Sequence, residues 1–197
     1  MSRATPYDRD KTLDAAMSLF WDKGYHATSL KDLEVALIMK PGSIYAAFKS
    51  KENLYLLALE RYFTNSRDFF RKQAEQAVSP LQNLADHLRG FSLLTSNDAA
   101  RKACMLTKTM VDTRSTDAAL ADQSRQYMLA MRTEIANVFE AAKANGEIAV
   151  DADPKRLARR YQANLTALRL ELHQGTEQIG LDELAEDMAR EVEALRR

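Results

Sequence analysis

The chain has little with which to cross-link itself, hold a metal or carry out covalent chemistry. Its single cysteine, Cys104, excludes an internal disulfide and any zinc site built on cysteines. The three histidines, His26, His87 and His173, stand far apart, and none falls in an H-x-x-x-H or H-E-x-x-H spacing, so one helix cannot present a metal site. A glycine-rich phosphate loop and a G-x-S-x-G elbow are both missing. No catalytic residue, cofactor or metal is assigned, and an enzyme is not expected. No apolar run approaches the roughly 20 residues of a membrane helix, and the first residues lack the apolar core of a signal peptide. A cytoplasmic protein without a membrane partner is expected.

Glycine and proline are scarce too, at six and four, which leaves room only for short loops. They fall as punctuation: Gly24, Gly146, Gly175 and Gly180 end or separate periodic segments, whereas Pro41, Pro80 and Pro154 begin them. What lies between is helical. Apolar spacing predicts helices over Arg9 to Lys23, Leu30 to Leu37, Pro41 to Phe48, Lys51 to about Ala77, and Pro80 to about Leu94. Further helices are expected over Lys102 to Asp112, Thr116 to Asn145, Pro154 to Gln174, and Leu181 to Arg197. The fold class is all-α. The first three helices form a head over residues 1–49, and the rest form a second domain over residues 50–197.

Within the head, the stretch from Thr28 to Lys51 has the spacing of a helix-turn-helix. Leu30, Leu33, Ala36 and Leu37 make one apolar stripe, which Thr28 or Ser29 can cap. Met39, Ile44 and Phe48 make a second, leaving only a sharp corner at Ile38 to Lys40 before Pro41 sets the first φ of the next helix. That second helix shows Lys40, Gly42, Ser43, Tyr45, Ala46 and Lys49 on its other face. From Val35 to Lys51 there are three lysines and no acid, although the whole chain balances 28 basic against 28 acidic residues. Phosphates would meet local positive charge there. Small groups at Gly42 and Ala46 allow close approach to base edges, and Ser43 and Tyr45 can donate to bases or phosphates.

The segments A-A-M-S-L-F-W-D-K-G-Y-H-A-T-S-L-K-D-L and K-P-G-S-I-Y-A-A-F-K-S-K-E-N-L-Y, between Leu13 and Tyr62, resemble the DNA-binding domain of the TetR (tetracycline repressor) family of bacterial transcriptional regulators. The resemblance implies that Pro41 to Phe48 is the recognition helix. It further implies that Ser43, Ile44, Tyr45 and Ala46 face the groove, that Thr28, Ser29 and Lys31 touch the DNA backbone, and that Lys51 binds a phosphate. The chain departs from the family pattern at the corner. Ile38 stands where the family usually has glycine, and a β-branched residue resists positive φ, so the turn must change or carry strain.

The last two helices form a complementary pair. Leu157, Tyr161, Leu165, Leu168 and Leu172 line one, behind the cations Lys155, Arg156, Arg159 and Arg160. Leu181, Leu184, Ala185, Met188, Val192 and Leu195 line the other, which is rich in acids, and antiparallel packing within or between subunits suits both. By resemblance they build a four-helix homodimer interface through Leu157, Tyr161, Leu165, Leu168, Leu172, Leu184, Met188, Val192 and Leu195. That both helices simply cover the monomer's own core remains open. A two-fold dimer would present its recognition helices to major grooves about 34 Å apart, so its double-stranded DNA partner should be a palindromic operator.

A small-molecule effector is expected in the second domain. Phe63, Leu84, His87, Leu88, Phe91, Cys104, Met105, Tyr127, Met128 and Met131 mix aromatic, thioether and polar groups, which suits an apolar compound held by polar handles at His87 and Tyr127. Arg101, Lys102 and a helix start near Cys104 would favour its thiolate, so an electrophile is a second candidate effector. The function expected is a repressor released from its operator by such a compound. An activator or corepressor-dependent regulator fits the same residues. So does a helical protein–protein adaptor without DNA binding, docking through the Leu181 to Leu195 stripe.

Overall fold

The computed structural model describes residues 8–94 and 103–197, and among these it contains nine α-helices. They are α1 (Arg9–Lys23), α2 (Leu30–Leu37), α3 (Pro41–Phe48), α4 (Lys51–Gln76), α5 (Pro80–Ser92), α6 (Met105–Thr113), α7 (Ala118–Ala144), α8 (Pro154–Gln174) and α9 (Gln178–Glu193). Helix starts follow local chemistry. Asp8, Ser29, Ser79 and Asp153 each accept hydrogen bonds from the first-turn N–H groups of α1, α2, α5 and α8, and proline opens α3, α5 and α8. Gly175 takes the left-handed conformation that ends α8, at φ 81°. None of the helices described is long and apolar enough to cross a membrane.

Several helix boundaries differ from the sequence expectation. The sixth helix begins at Met105 instead of Lys102, which lies outside the described residues together with Arg101. Residues 114–116 form a turn, so α7 starts at Ala118 instead of Thr116, and the Thr116 and Asp117 N–H groups donate to Thr113 O. Gly180, expected to separate helices, lies inside α9, which starts at Gln178 and stops at Glu193. Beyond it, Arg196 pairs with Ile148 in an antiparallel bridge that draws the last residues away from a helical path.

The chain divides into two compact units, Met1–Asn65 with Met105–Arg125, and Ser66–Cys104 with Gln126–Arg197. In the first, Leu13, Ala16 and Phe20 of α1, Leu33 and Leu37 of α2, Ile44 and Phe48 of α3, and Leu54, Tyr55, Ala58 and Leu59 of α4 are buried. Arg61 of α4 binds both carboxylate oxygens of Asp14 at 2.6 and 2.8 Å and reaches Asp10 at 2.8 Å, locking α4 to α1. Helix α6, expected in the second domain, belongs to this unit. Its Thr109 hydroxyl donates to Met105 O and accepts from Tyr55 at 2.6 Å, and its Lys108 ammonium donates to the carbonyls of Trp21 and Asp22 at the end of α1. Such a cation satisfies carbonyls that a helix C-terminus leaves exposed.

In the second unit, α5 and α9 run antiparallel and close together. Gln82, early in α5, bonds Glu193, late in α9, while Gln178 at the start of α9 donates to Ser92 O at the end of α5. The small residues Ala85, Ala185 and Ala189 are buried along this seam between Leu81, Leu84 and Leu88. Helix α8 closes the core, with Arg160 paired to Glu191 of α9 at 2.6 Å. The charge complementarity of α8 and α9 therefore acts here within one chain.

Candidate nucleic-acid interface

The candidate reading surface starts from the way α2 is anchored. Ser29 Oγ accepts from Asp32 N, and Ser29 N donates back to Asp32 Oδ2 at 2.8 Å, a reciprocal capping box. Lys23 holds the other oxygen of Asp32 at 2.6 Å, and this ion pair with the two serine bonds keeps the Asp32 carboxyl well below the usual carboxylate range. Ser29 is exposed but its hydroxyl already serves the cap. Thr28, expected at the DNA backbone, is fully buried and donates to Gly24 O at 2.7 Å, so its side chain closes the α1–α2 turn instead. Lys31 remains exposed on α2.

Helix α3 has one face for the protein and one for solvent. Ile44 and Phe48 are buried against the head, and for Ile44, expected in the groove, this burial is a correction: its side chain positions the helix. Gly42, Ser43, Tyr45, Ala46 and Lys49 are exposed, and so is Lys40, the N-cap, whose side chain makes no capping bond. A Cβ at Gly42 would meet nothing of this chain within 4 Å, so nothing in the protein's own packing requires glycine there. Lys51 is half-buried at the start of α4, its ammonium 4.6 Å from the centre of the Tyr25 ring, and burial pulls its pKa below the ordinary lysine value. Ser50 Oγ accepts from Asn53 N, and Asn53 Nδ2 donates to Phe48 O, so the α3–α4 junction is fixed by short-range bonds.

Two non-glycine residues with positive φ bracket α3: Ile38 at φ 54° and Lys49 at φ 69°. Ile38 takes the left-handed conformation as the C-cap of α2, so the corner carries the strain that its β-branched side chain implies. The cost is about 1–2 kcal/mol at such a position.

Two grooves open beside α4 within the second unit. One, of about 430 Å³, lies between the end of α4 and α5 and is lined chiefly by polar groups, among them Gln73, Gln82, Asn83 and His87. The other, of about 470 Å³, has Phe70, Ala74, Pro80 and Val138 on its walls and the Arg71–Glu134 ion pair, 2.6 Å, beside them. The sequence candidates for an effector site do not converge there. His87 lines the polar groove, but Leu84 and Leu88 are wholly buried in the core, and Phe63 and Met105 are buried in the first unit. Phe91, Tyr127, Met128 and Met131 are half-buried. Cys104 is half-buried one residue ahead of α6, and the cations expected to activate it lie outside the described residues. Phe70, Ala74, Pro80 and Val138 were missed as a set, because three elements contribute them and no single helical stripe contains them.

Beside the polar groove, His87 Nδ1 lies 2.7 Å from the Tyr161 hydroxyl, which donates to Leu84 O at 3.0 Å. The tyrosine proton is thereby committed, so His87 carries its own on Nδ1. Phe70 and Phe91 approach the imidazole edge-on, and this enclosure, with the nearby Arg169 charge, pushes its pKa down to about 4. Tyr161, expected at a dimer interface, is buried here, and Leu168, Leu172 and Val192 are buried within the same chain. Of the expected interface set, Leu157, Leu165, Leu184, Met188 and Leu195 keep partial exposure.

Residues 13–58 match the model of the bacterial regulatory proteins of the tetR family, and residues 80–178 match the tetracyclin repressor-like C-terminal domain. The HTH-type transcriptional repressor ComR of Escherichia coli is 32% identical over 182 residues, covering 88% of this chain and 84% of its own. An uncharacterized HTH-type transcriptional regulator of Bacillus subtilis, YezE, is 27% identical over 81% of this chain and 82% of its own. Among solved structures, a cysteine variant of the regulator CifR, complexed with 26-base-pair operator DNA, superposes with a TM-score of 0.77 at 27% identity, covering 96% of this chain and 98% of that one. A regulator from Cytophaga hutchinsonii shares the fold with a TM-score of 0.84 at 19% identity, over 99% and 98% of the two chains.

Proposed function

The chain belongs to the TetR family of bacterial regulatory proteins, and from that premise we propose that it is a homodimeric repressor that binds a palindromic operator and leaves it when a small molecule binds. The observation that carries this reading is the two-faced helix α3: Ile44 and Phe48 anchor it, and Gly42, Ser43, Tyr45 and Ala46 are turned outward between the exposed Lys40 and Lys49. Small and hydroxyl-bearing groups flanked by cations suit base edges flanked by phosphates. Residues 1–49 act as the reading head, with residues 50–197 supporting and regulating it. The partly exposed Leu157, Leu165, Leu184, Met188 and Leu195 on α8 and α9 provide the surface for a second copy. The similarity to ComR, a transcriptional repressor, supports repression over activation.

For the effector, the groove walled by Phe70, Ala74, Pro80 and Val138 suits a small apolar compound. Both grooves touch α4, whose first residues follow directly on the α3–α4 junction, so a ligand that displaces α4 acts on the helix that holds the reading head. Couplings of about 1–3 kcal/mol would weaken operator binding roughly 5- to 150-fold. Attack by Cys104 on an electrophile is the second route, and a Cys104→Ser variant that still responds to quinones and aldehydes would remove it.

The test is selection of bound duplexes from a randomised library, followed by titration of the enriched duplex at several salt concentrations. A palindrome bound by a dimer, with affinity falling steeply in salt, is the expected result. A folded protein that enriches no duplex, with or without candidate corepressors, would overturn the reading.

A further inference from the structure

Ile38 is 92% exposed, and Val35, one turn earlier on α2, is 74% exposed. Both are branched aliphatic residues left in solvent beside α3, whereas most apolar side chains of α1 to α3 are turned inward. Ile38 also holds a left-handed backbone, at φ 54° and ψ 41°, a conformation that its Cβ opposes and that glycine adopts without penalty. A side chain so exposed gains almost no packing within the chain that could offset this conformation. Nothing in the protein's own fold therefore accounts for isoleucine at this corner, and an outlier of this kind directs attention to what lies outside the chain.

Its position says what that is. Ile38 precedes Lys40, the exposed N-cap of α3, by two residues, and Gly42 follows with open space where a Cβ would stand. Base contacts in helix-turn-helix proteins come chiefly from the N-terminal end of the recognition helix. The surroundings are cationic, since residues 35–51 contain three lysines and no acid, so the patch continues a surface complementary to a polyanion. A branched aliphatic group has nothing to offer a phosphate. The feature of a DNA major groove that it complements is the 5-methyl group of thymine, which only one of the four bases carries.

We propose that Ile38, flanked by Val35, is a specificity residue that packs on a thymine 5-methyl group in each half-site of the operator, an inference that rests on the DNA-binding reading above. The side chain then discriminates thymine from cytosine at a position that the polar groups of α3 do not read.

The experiment uses the full-length protein and the duplex enriched from the randomised library. Each thymine is replaced in turn by deoxyuridine, which keeps base pairing and removes only the methyl group, and binding is measured for the wild type, Ile38→Gly and Ile38→Val. The wild type should lose affinity about fourfold per half-site at one thymine position, the effect of leaving one methyl-sized apolar group uncovered. Ile38→Gly should bind the parent duplex more weakly by a similar factor and be indifferent to deoxyuridine at that position, whereas Ile38→Val should keep most of the discrimination. The urea midpoint of Ile38→Gly should rise, so weaker binding could not be ascribed to unfolding. If Ile38→Gly binds as the wild type does, or binds all duplexes more weakly while every deoxyuridine effect persists, the inference is overturned and the DNA-binding reading stands. If the wild type enriches no duplex, both fall.

Discussion

Arg89 of α5 lies between Glu193 and Glu186 of α9, with Nη1 2.6 Å from Glu193 Oε1 and Nε 2.7 Å from Glu186 Oε2. One guanidinium thus spans two turns of the facing helix, and its hydrogen bonds hold Glu186 down to about 2 and Glu193 below its ordinary value. Arg89→Met, which keeps the apolar stem, should lower the thermal midpoint by about 2–4 °C at neutral pH. Both carboxyls are depressed in the folded state, so their contribution is complete above the unfolded value near 4.5 and fades as pH falls below it, for Glu186 toward about 2. Calorimetry on the two proteins should therefore give midpoints that converge between pH 4.5 and 2. A constant difference across that window would show that Arg89 acts through packing alone.

His87 should make the protein acid-sensitive in a different range. Its pKa is lowered from 6.5 to about 4, so between these values the unfolded chain takes up a proton that the folded chain refuses. Stability is complete above pH 6.5 and declines as pH falls to 4, by up to about 3 kcal/mol. Urea unfolding at pH 7 and pH 4.5 should show this decline in the wild type and a flatter profile in His87→Gln.

Removing the Tyr161 hydroxyl takes from Leu84 O the donor it has beyond its own helix and leaves His87 Nδ1 without its acceptor. Tyr161→Phe should therefore lose about 1–3 kcal/mol of stability even though the ring is retained. Denaturant midpoints for the pair of proteins measure this directly, and an unchanged midpoint would mean that the network adds nothing to stability.

Thr28 and Lys40 should separate structural from DNA-facing roles. Thr28→Val breaks the buried bond to Gly24 O and should lower stability by about 1 kcal/mol while operator affinity at a temperature where the variant is folded stays unchanged. Lys40→Ala should leave the thermal midpoint in place and reduce the salt dependence of operator binding, by roughly 0.9 in the log–log slope for each phosphate that is no longer neutralised. Fluorescence anisotropy against salt concentration distinguishes the two.

Tyr45 is exposed on α3, so Tyr45→Ala should weaken operator binding about tenfold or more with little change in the unfolding midpoint. A large fall in the midpoint would identify Tyr45 as a packing residue.

The sequence showed the helices wherever a chemical mark stood at the boundary. The caps at Ser29 and Asp153, the prolines at 41, 80 and 154, and Gly175 all lie where their side chains or backbone freedom require. Marks of the same kind misled at Gly180, because glycine near the start of a helix is tolerated when tertiary packing holds the segment. Periodicity also located buried faces without saying what buries them. Tyr161, Leu168 and Val192 follow the stripe expected of an interface, yet they are buried in a core shared with α5 and α7 of the same chain. The affiliation of α6 was illegible for a similar reason: it depends on Thr109 meeting Tyr55 and on Lys108 meeting the end of α1, pairings between residues far apart in sequence.

Because the first unit borrows Met105–Arg125 from the middle of the chain, neither unit is a continuous stretch. Recombination with a related gene at one crossover after α3 would transplant a foreign α6 onto the native α1, and Lys108 and Thr109 would be replaced by whatever the donor carries. An exchange that preserves both units needs junctions at three places, near residues 65, 104 and 125. New operator preferences are thus gained more safely by substitutions on α3 and its corner than by swapping the amino-terminal third of the gene.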